Sequence, residues 1–382
     1  MSRFALSGAK LVSPDGVLWG HSLLVADGRI SARVADDRIP AEYPVTSLGG
    51  GWLMPGFIDT QVNGGGDVLF NDQPTVDGIR AIANAHRRFG TTGLLPTLIS
   101  DDPDVVEAAL DAADQAVEQV PGVLGIHVEG PHLNPQKRGI HDASKFTPLT
   151  DAVIDRLVRP TKGVRLVTIA PELAPPGAIR RLVQGGVVVA AGHSMAGYDQ
   201  TRAALDEGLS AFTHLFNAMT QLGSREPGMV GAALENRASR FGLIVDGLHV
   251  HPATLRLALA ARGMDGAMLV TDAMPPVGGT ATHFNLMGRD IQVVDGVCRG
   301  PDGTLAGSAL SMAQAVRNAW DWLDRPLEDV SRMASANPAA LLGLQHDLGA
   351  LVPGQRADLV HLASDRRVVQ SWIAGIPSAV GE

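Results

Sequence analysis

A single cysteine, Cys298, stands among 382 residues, so neither an intramolecular disulfide framework nor a cysteine-rich zinc module can form. That scarcity fits a reducing compartment. Aromatic residues make up only 4% of the chain, basic residues never gather into a long run, and the formal net charge is -9. A nucleic-acid binder or an anionic-membrane binder needs a cationic footprint, so neither partner is expected. Long hydrophobic runs are also missing, because charges or prolines interrupt every apolar stretch before bilayer length. The opening Met-Ser-Arg-Phe-Ala-Leu-Ser-Gly has no apolar signal core. The expected setting is cytoplasmic and the expected ligand is a small molecule.

Apolar material for a large fold is present: 45% of the residues are hydrophobic, and 44 glycines and 24 prolines are scattered instead of gathered in one tract. Scattering of that kind reads as many tight loops between packed elements. Near the start, Ser22-Leu23-Leu24-Val25-Ala26 is followed by Asp27-Gly28 and then Arg29-Ile30-Ser31-Ala32-Arg33-Val34, which is a hairpin signature. Ala357-Asp358-Leu359-Val360-His361-Leu362 and the stretch from Val368 to Ile376 have the same character at the far end. Residues 1–53 and 345–382 are therefore expected to share a small β-sandwich domain built from both termini.

Between them, residues 54–344 alternate short β-branched runs with helical stretches such as Asp104 to Gln119, Gly197 to Gly208 and Pro252 to Arg262. Repeated βα units predict an α/β fold, a (β/α)8 barrel, with strands ending near Asp59, Thr97, Glu129, Pro171, His193, His214, Asp246 and Asp272. In such a barrel the C-terminal strand ends face one mouth, so Glu129, His193, His214 and Asp272 converge although far apart in sequence. One carboxylate and two imidazoles suit zinc or another divalent first-row ion. Any one strand-end histidine reads as an ordinary polar residue; three such groups on the third, fifth and sixth strands read as a ligand set. Asp272 stands in two readings, a proton carrier and a turn former or helix cap. From the residues alone, His141 in Lys137-Arg138-Gly139-Ile140-His141 is a polar loop residue.

Several segments carry a family resemblance over essentially the whole chain. They are Met54-Pro55-Gly56-Phe57-Ile58-Asp59, His127-Val128-Glu129-Gly130-Pro131, Ala191-Gly192-His193-Ser194 and Thr213-His214-Leu215-Phe216-Asn217-Ala218-Met219. Val270-Thr271-Asp272-Ala273, Leu305-Ala306-Gly307-Ser308 and the closing stretch from Leu348 to Val360 add to them. The chain resembles the N-acetylglucosamine-6-phosphate deacetylases of the amidohydrolase superfamily.

That resemblance implies deacetylation of N-acetyl-D-glucosamine 6-phosphate to D-glucosamine 6-phosphate and acetate. It implies one divalent cation per subunit, zinc with iron, cobalt or manganese as alternatives, on Glu129, His193 and His214. Asp272 becomes general base and acid, and His141 polarises the acetyl carbonyl. Ile140, Asn217, Ala218, Arg225, His249, Ala306, Gly307 and Ser308 become substrate contacts, with Arg225 reaching a neighbouring site in a homodimer. Guanidinium suits phosphate, although a surface salt bridge is the plainer use of Arg225. The rival readings are another N-acetylated or cyclic amide substrate and a catalytically silent scaffold.

Two departures stand out. Gln61-Val62-Asn63 replaces the His-x-His that many superfamily members carry after the first strand, and these two amides are expected to bond to water or neighbouring loops. Asp59 is expected to buttress the site. His132 occupies a place associated with a bulky aromatic and is expected to fill space, with an extra polar contact as the alternative.

Overall fold

The computed structural model describes residues 3–378, so residues 1–2 and 379–382 of the anticipated terminal domain lie outside the described residues. Eight parallel strands form the centre: β1 (Phe57–Val62), β2 (Thr91–Ile99), β3 (Gly125–Glu129) and β4 (Val164–Ile169). They are followed by β5 (Val188–Ala191), β6 (Ala211–Phe212), β7 (Arg240–Leu243) and β8 (Ala267–Leu269). Each pairs with its sequence neighbour. The ring closes just past β8, where Ala273 bridges Val62 in parallel, the Asp272 N–H donates to Gln61 O at 3.0 Å and the Asn63 N–H to Ala273 O at 2.9 Å. Closure thus brings Gln61, Asn63 and Asp272 together.

These strands are buried almost throughout, as strands covered on both faces must be. Ile58, Leu95, Leu124, Leu166, Ala190 and Met268 fill the lower barrel. Toward the C-terminal ends the inward side chains become polar, and the period of two sets His127 and Glu129 on one face of β3. His127 Nε2 lies 2.7 Å from Thr168 Oγ1, which lies 2.6 Å from Thr213 Oγ1, so this polar layer is internally satisfied.

The helices begin where their caps dictate. Pro103–Gln119 opens with proline, whose missing N–H would have no partner there, and buries Val106, Ala109, Leu110, Ala113 and Ala116 at helical spacing. The other two expected helices are found at Tyr198–Asp206 and Pro252–Arg262.

Both termini build a β-sandwich beside the barrel. One sheet holds Arg3–Ser7, His21–Ala26, Arg29–Ala35 and Val45–Ser47. In the other, Leu359–Leu362 pairs antiparallel with Trp52–Pro55, the strand that leads into β1. Leu6, Leu23, Val25, Leu53, Leu359 and Trp372 pack between the sheets. Asp27 and Gly28 adopt φ of 50 and 75, the left-handed pair that a two-residue hairpin needs.

One element was not anticipated. After β8, the segments His283–Leu286, Arg289–Val294 and Val297–Arg299 form an antiparallel meander. Its Leu286, Ile291 and Cys298 pack against Ile99, Ile140 and Met274, so it walls one side of the barrel mouth. Burial pushes the Cys298 thiol up to about 12, which leaves it inert as a nucleophile.

His86, on the helix Val76–Arg87, is wholly buried and lies with Nε2 2.8 Å from Gly64 O, pinning the loop that leaves β1. Burial lowers its pKa from 6.5 to about 4. Between those values the unfolded chain binds a proton that the folded chain refuses. The stability is therefore fully present above pH 6.5 and is lost as pH falls toward 4. His86→Gln keeps a donor for Gly64 and removes the titration. The drop in thermal midpoint between pH 7 and pH 5 should be smaller in this variant, by the effect of about one proton. Equal drops in both proteins would reject this account.

Candidate metal centre and active site

Glu129 is the last residue of β3 and is 1% exposed. Its Oε1 lies 3.1 Å from His193 Nε2 and 3.1 Å from His214 Nε2, and the two nitrogens are 3.0 Å apart. The histidines are not on strands as the sequence reading had them. His193 lies just past β5 with φ 48, His214 just past β6 with φ 31, and Asp272 just past β8 with φ 52. All three occupy the left-handed region, which ordinary residues avoid and which costs of order 1 kcal/mol or more each. A left-handed residue turns the chain sharply, so each side chain is aimed across the mouth.

Hydrogen bonding at the rim sets what these rings offer. His193 Nδ1 is 2.8 Å from Lys137 O, and a carbonyl only accepts, so Nδ1 carries the hydrogen and Nε2 presents a lone pair. His214 Nδ1 is buried without a partner. A single proton on His214 Nε2 can serve only part of a cluster of one carboxylate oxygen and two nitrogens. A divalent cation satisfies all three. Atoms about 2.0–2.1 Å from one ion stand about 3.0–3.4 Å apart, which is the spacing found. The residues fit a cation.

Burial acts to raise Glu129, but hydrogen bonds and charge from His193 and His214 override it and hold the carboxyl well below the usual range. His214 is raised in turn, Glu129 outweighing its burial. Asp272 is raised, first by burial and then by the Glu129 charge. His141 is driven down to about 3, chiefly by burial and then by His193.

The His141 ring is oriented by Ser100, which sequence reasoning missed. Both the Ser100 backbone N–H, at 3.4 Å, and its Oγ, at 2.9 Å, approach Nδ1. A backbone N–H only donates, so Nδ1 accepts and Nε2 carries the hydrogen. A neutral ring with Nε2–H is the form that can donate to a carbonyl.

Glu129, His141, His193, His214 and Asp272 share a cavity of about 240 Å³. Of the expected contacts, Ile140, Asn217, Ala218, His249 and Gly307 also line it. His249 Nδ1 is 2.6 Å from Asp246 Oδ2, which leaves Nε2 as its free face. Ala306 and Ser308 do not line the wall, contrary to expectation: Ser308 Oγ donates to Thr271 O at 2.6 Å and its N–H to Asp272 O at 2.8 Å. Ser308 braces Asp272 from behind. Arg225 is exposed, does not line this cavity, and makes no ion pair or side-chain hydrogen bond among the described residues. Ile99, Asn63, Met274, Thr304 and Leu305 line the cavity and were not expected as contacts. Leu305 opens a named segment and Thr304 adjoins it, and that was the available signal.

Two further expectations are refined. Gln61 and Asn63, expected to bond to water or neighbouring loops, reach the neighbouring loop at Asp272 itself, and Gln61 also bonds Glu129 at the end of β3. His132 does more than fill space, since its Nδ1 lies 2.9 Å from Thr147 O. It borders a separate cavity of about 300 Å³ lined mainly by apolar side chains such as Leu133, Phe146 and Leu173. That larger cavity holds no pair of acid–base groups, so the chemistry belongs to the smaller one.

Residues 52–376 match the family model described as the amidohydrolase family. This chain is an amidohydrolase. Over 373 residues it is 43% identical to the N-acetylgalactosamine-6-phosphate deacetylase of Shewanella sp. (strain ANA-3), covering 96% of this chain and 94% of that one. It is 37% identical to the N-acetylglucosamine-6-phosphate deacetylase of Homo sapiens, covering 97% and 92%. The N-acetylglucosamine-6-phosphate deacetylase structure from Pasteurella multocida superimposes with a TM-score of 0.95 at 32% identity, covering 99% of this chain and 100% of the other. Among the described residues of this amidohydrolase, no helix is long and apolar enough to cross a membrane.

The triad predicts the behaviour of the metal. Purified protein freed of loose ions should hold about one divalent cation per chain, and His193→Ala or His214→Ala should remove it. Elemental analysis decides; a reproducible stoichiometry near two, with activity following the second equivalent, overturns the single-site reading.

Proposed function

We propose that this amidohydrolase removes the acetyl group of N-acetyl-D-glucosamine 6-phosphate by hydrolysis, giving D-glucosamine 6-phosphate and acetate. One observation carries the reading: the acceptor triad and Asp272 share one cavity in a chain that relatives bearing deacetylase names match over 96% and 97% of its length. Glu129, His193 and His214 hold one divalent cation, and zinc suits two imidazoles and a carboxylate. When bound, the cation supplies Lewis acidity to the amide carbonyl and to a water.

The chain's own groups do the rest. Asp272 takes a proton at its carboxylate and returns it to the departing amine nitrogen, a task that a raised pKa suits. His141, kept neutral, donates its Nε2–H to the acetyl carbonyl oxygen as negative charge builds there. Ile140, Asn217, Ala218, His249 and Gly307 form the sugar wall, and Ala306 and Ser308 hold the loop behind Asp272. Residues 54–344 are the catalytic unit, and residues 1–53 with 345–382 the supporting β domain. The protein works in the cytoplasm as a homodimer. Arg225, exposed and without an intrachain partner among the described residues, reaches the phosphate in the neighbouring subunit's site.

A second reading changes one stereocentre. The Shewanella relative at 43% identity is named for N-acetylgalactosamine 6-phosphate, the C4 epimer. Acetate release should be measured on both 6-phosphates and on the unphosphorylated sugars. The proposal expects the glucosamine derivative to be used at least as well as its epimer, with both unphosphorylated sugars poor substrates; the reverse order installs the second reading. Asp272→Asn should retain metal and lose about a hundredfold or more in kcat. Heterodimers of Arg225→Ala and Asp272→Asn subunits should recover activity that neither homodimer has. No recovery in verified heterodimers removes Arg225 from the shared site.

A further inference from the structure

The two carboxamides that stand where a His-x-His is common make specific contacts that the proposed chemistry has not yet used. Asn63 Nδ2 donates to Asp272 Oδ1 at 2.6 Å. Gln61 Nε2 donates to the same oxygen at 3.2 Å and to Glu129 Oε2 at 3.0 Å. Both side chains are buried, at 1% and 2% exposure. Their amide orientation follows from the partners, because a carbonyl oxygen turned toward ionised carboxylates would repel them. Asn63 Oδ1 has no partner, so only the contact to Asp272 fixes that side chain's orientation.

The two oxygens of Asp272 are therefore unequal. Oδ1 receives two amide N–H groups, whereas Oδ2 receives none from any described residue. A carboxylate oxygen saturated by donors is a poor place to put a proton, and the opposite oxygen keeps its basicity. The backbone adds to the asymmetry. Asp272 sits at φ 52, anchored on both sides by its N–H to Gln61 O at 3.0 Å and the Ser308 N–H to Asp272 O at 2.8 Å. Below it, Asp59 accepts the Thr271 hydroxyl at 2.5 Å, so the residue before Asp272 is held as well.

We infer that Asn63 and Gln61 are positioning residues that fix the Asp272 carboxylate through Oδ1 and reserve Oδ2 for proton transfer to and from the substrate. This rests on the assignment of Asp272 as proton carrier. Gln61 has a second effect through its single NH2 group: it bridges Asp272 to Glu129, two carboxylates that would otherwise repel, and so keeps their separation constant while the Asp272 charge changes. The proton is conserved throughout: it leaves water for Oδ2, and leaves Oδ2 for the amine.

The test uses Asn63→Leu and Gln61→Met, which keep volume and remove the donors, each made in the wild-type and in the Asp272→Asn background. Acetate release, KM, metal content and thermal midpoint are measured on every protein. Each substitution should lower kcat by about tenfold to a hundredfold in the wild-type background, with KM within about threefold and metal unchanged. In the Asp272→Asn background each should cost less than about threefold, because the group it acts through is already gone. Equal losses in both backgrounds, or unchanged kcat in the wild-type background, would overturn the inference. If a Leu or Met variant fails to fold, Asn63→Ala and Gln61→Ala enter the same cycle under the same criteria. A wild-type protein that releases no acetate from any N-acetylhexosamine phosphate refutes the deacetylase reading and this inference together; an active wild type with additive cycles refutes only this inference.

Discussion

Glu129 Oε1, His193 Nε2 and His214 Nε2 stand within 3.1 Å of one another in a buried pocket, and at least two of these atoms are electron-pair donors with nothing else to bind. Such a cluster repels itself until positive charge occupies its centre. The surrounding structure is best understood as the apparatus that holds it. Glu129 is set by the last position of a parallel strand, where register with β4 fixes it opposite Thr168. The imidazoles come from turns instead, and a turn can be aimed only if the backbone on both sides is tied. Asn134 N–H bonds His193 O at 2.9 Å, and Leu215 N–H bonds Gly242 O at 2.9 Å. These bonds offset the strain of the left-handed residues and give the rings single orientations.

The same economy of orientation governs protonation. In each of three rings the outer nitrogen is committed to a group of fixed polarity, which decides what the inner nitrogen does. His193 Nδ1 gives its hydrogen to Lys137 O and leaves Nε2 a lone pair; His141 Nδ1 accepts from Ser100 and leaves the hydrogen on Nε2; His249 Nδ1 binds the Asp246 carboxylate. Histidines of identical covalent structure thus present different faces to the cavity, and the difference lies in partners one layer away from it.

That layer explains where the sequence was legible and where it was not. The eight-stranded barrel, the terminal β segments and the gathering of Glu129, His193 and His214 were readable because they rest on periodicity and on residue type near strand termini. Ser100 was not readable, because its importance is a contact across 41 positions to His141 that no local pattern encodes. The meander after β8 is a different case. Its Asp295-Gly296 turn has φ of 51 and 75, the same chemistry as Asp27-Gly28, and Val294 pairs with Val297 across it. The turn signal is present but lies outside the repeated βα period that defines the barrel. His193 and His214 were read on the fifth and sixth strands, whereas those strands end at Ala191 and Phe212 and left-handed turns carry the two rings; Asp272, read as following the eighth strand, does follow it, with φ 52.

Gln61 and Asn63 determine what the end of β1 presents to this mouth. A second cation beside Glu129 would need lone pairs directed at it from the end of β1. What β1 offers is the hydrogen-bearing edge of two amides, already committed to Glu129 Oε2 and Asp272 Oδ1. These N–H dipoles supply, in fixed positions and without a full charge, the stabilisation of the two carboxylates that a second ion would otherwise provide. Turning either amide over would free an oxygen for metal but would set it against a carboxylate 2.6 to 3.2 Å away. The end of β1 therefore presents hydrogen-bond donors, not lone pairs, to Glu129 and Asp272, and the acceptors that remain unsatisfied are gathered at Glu129 Oε1, His193 and His214.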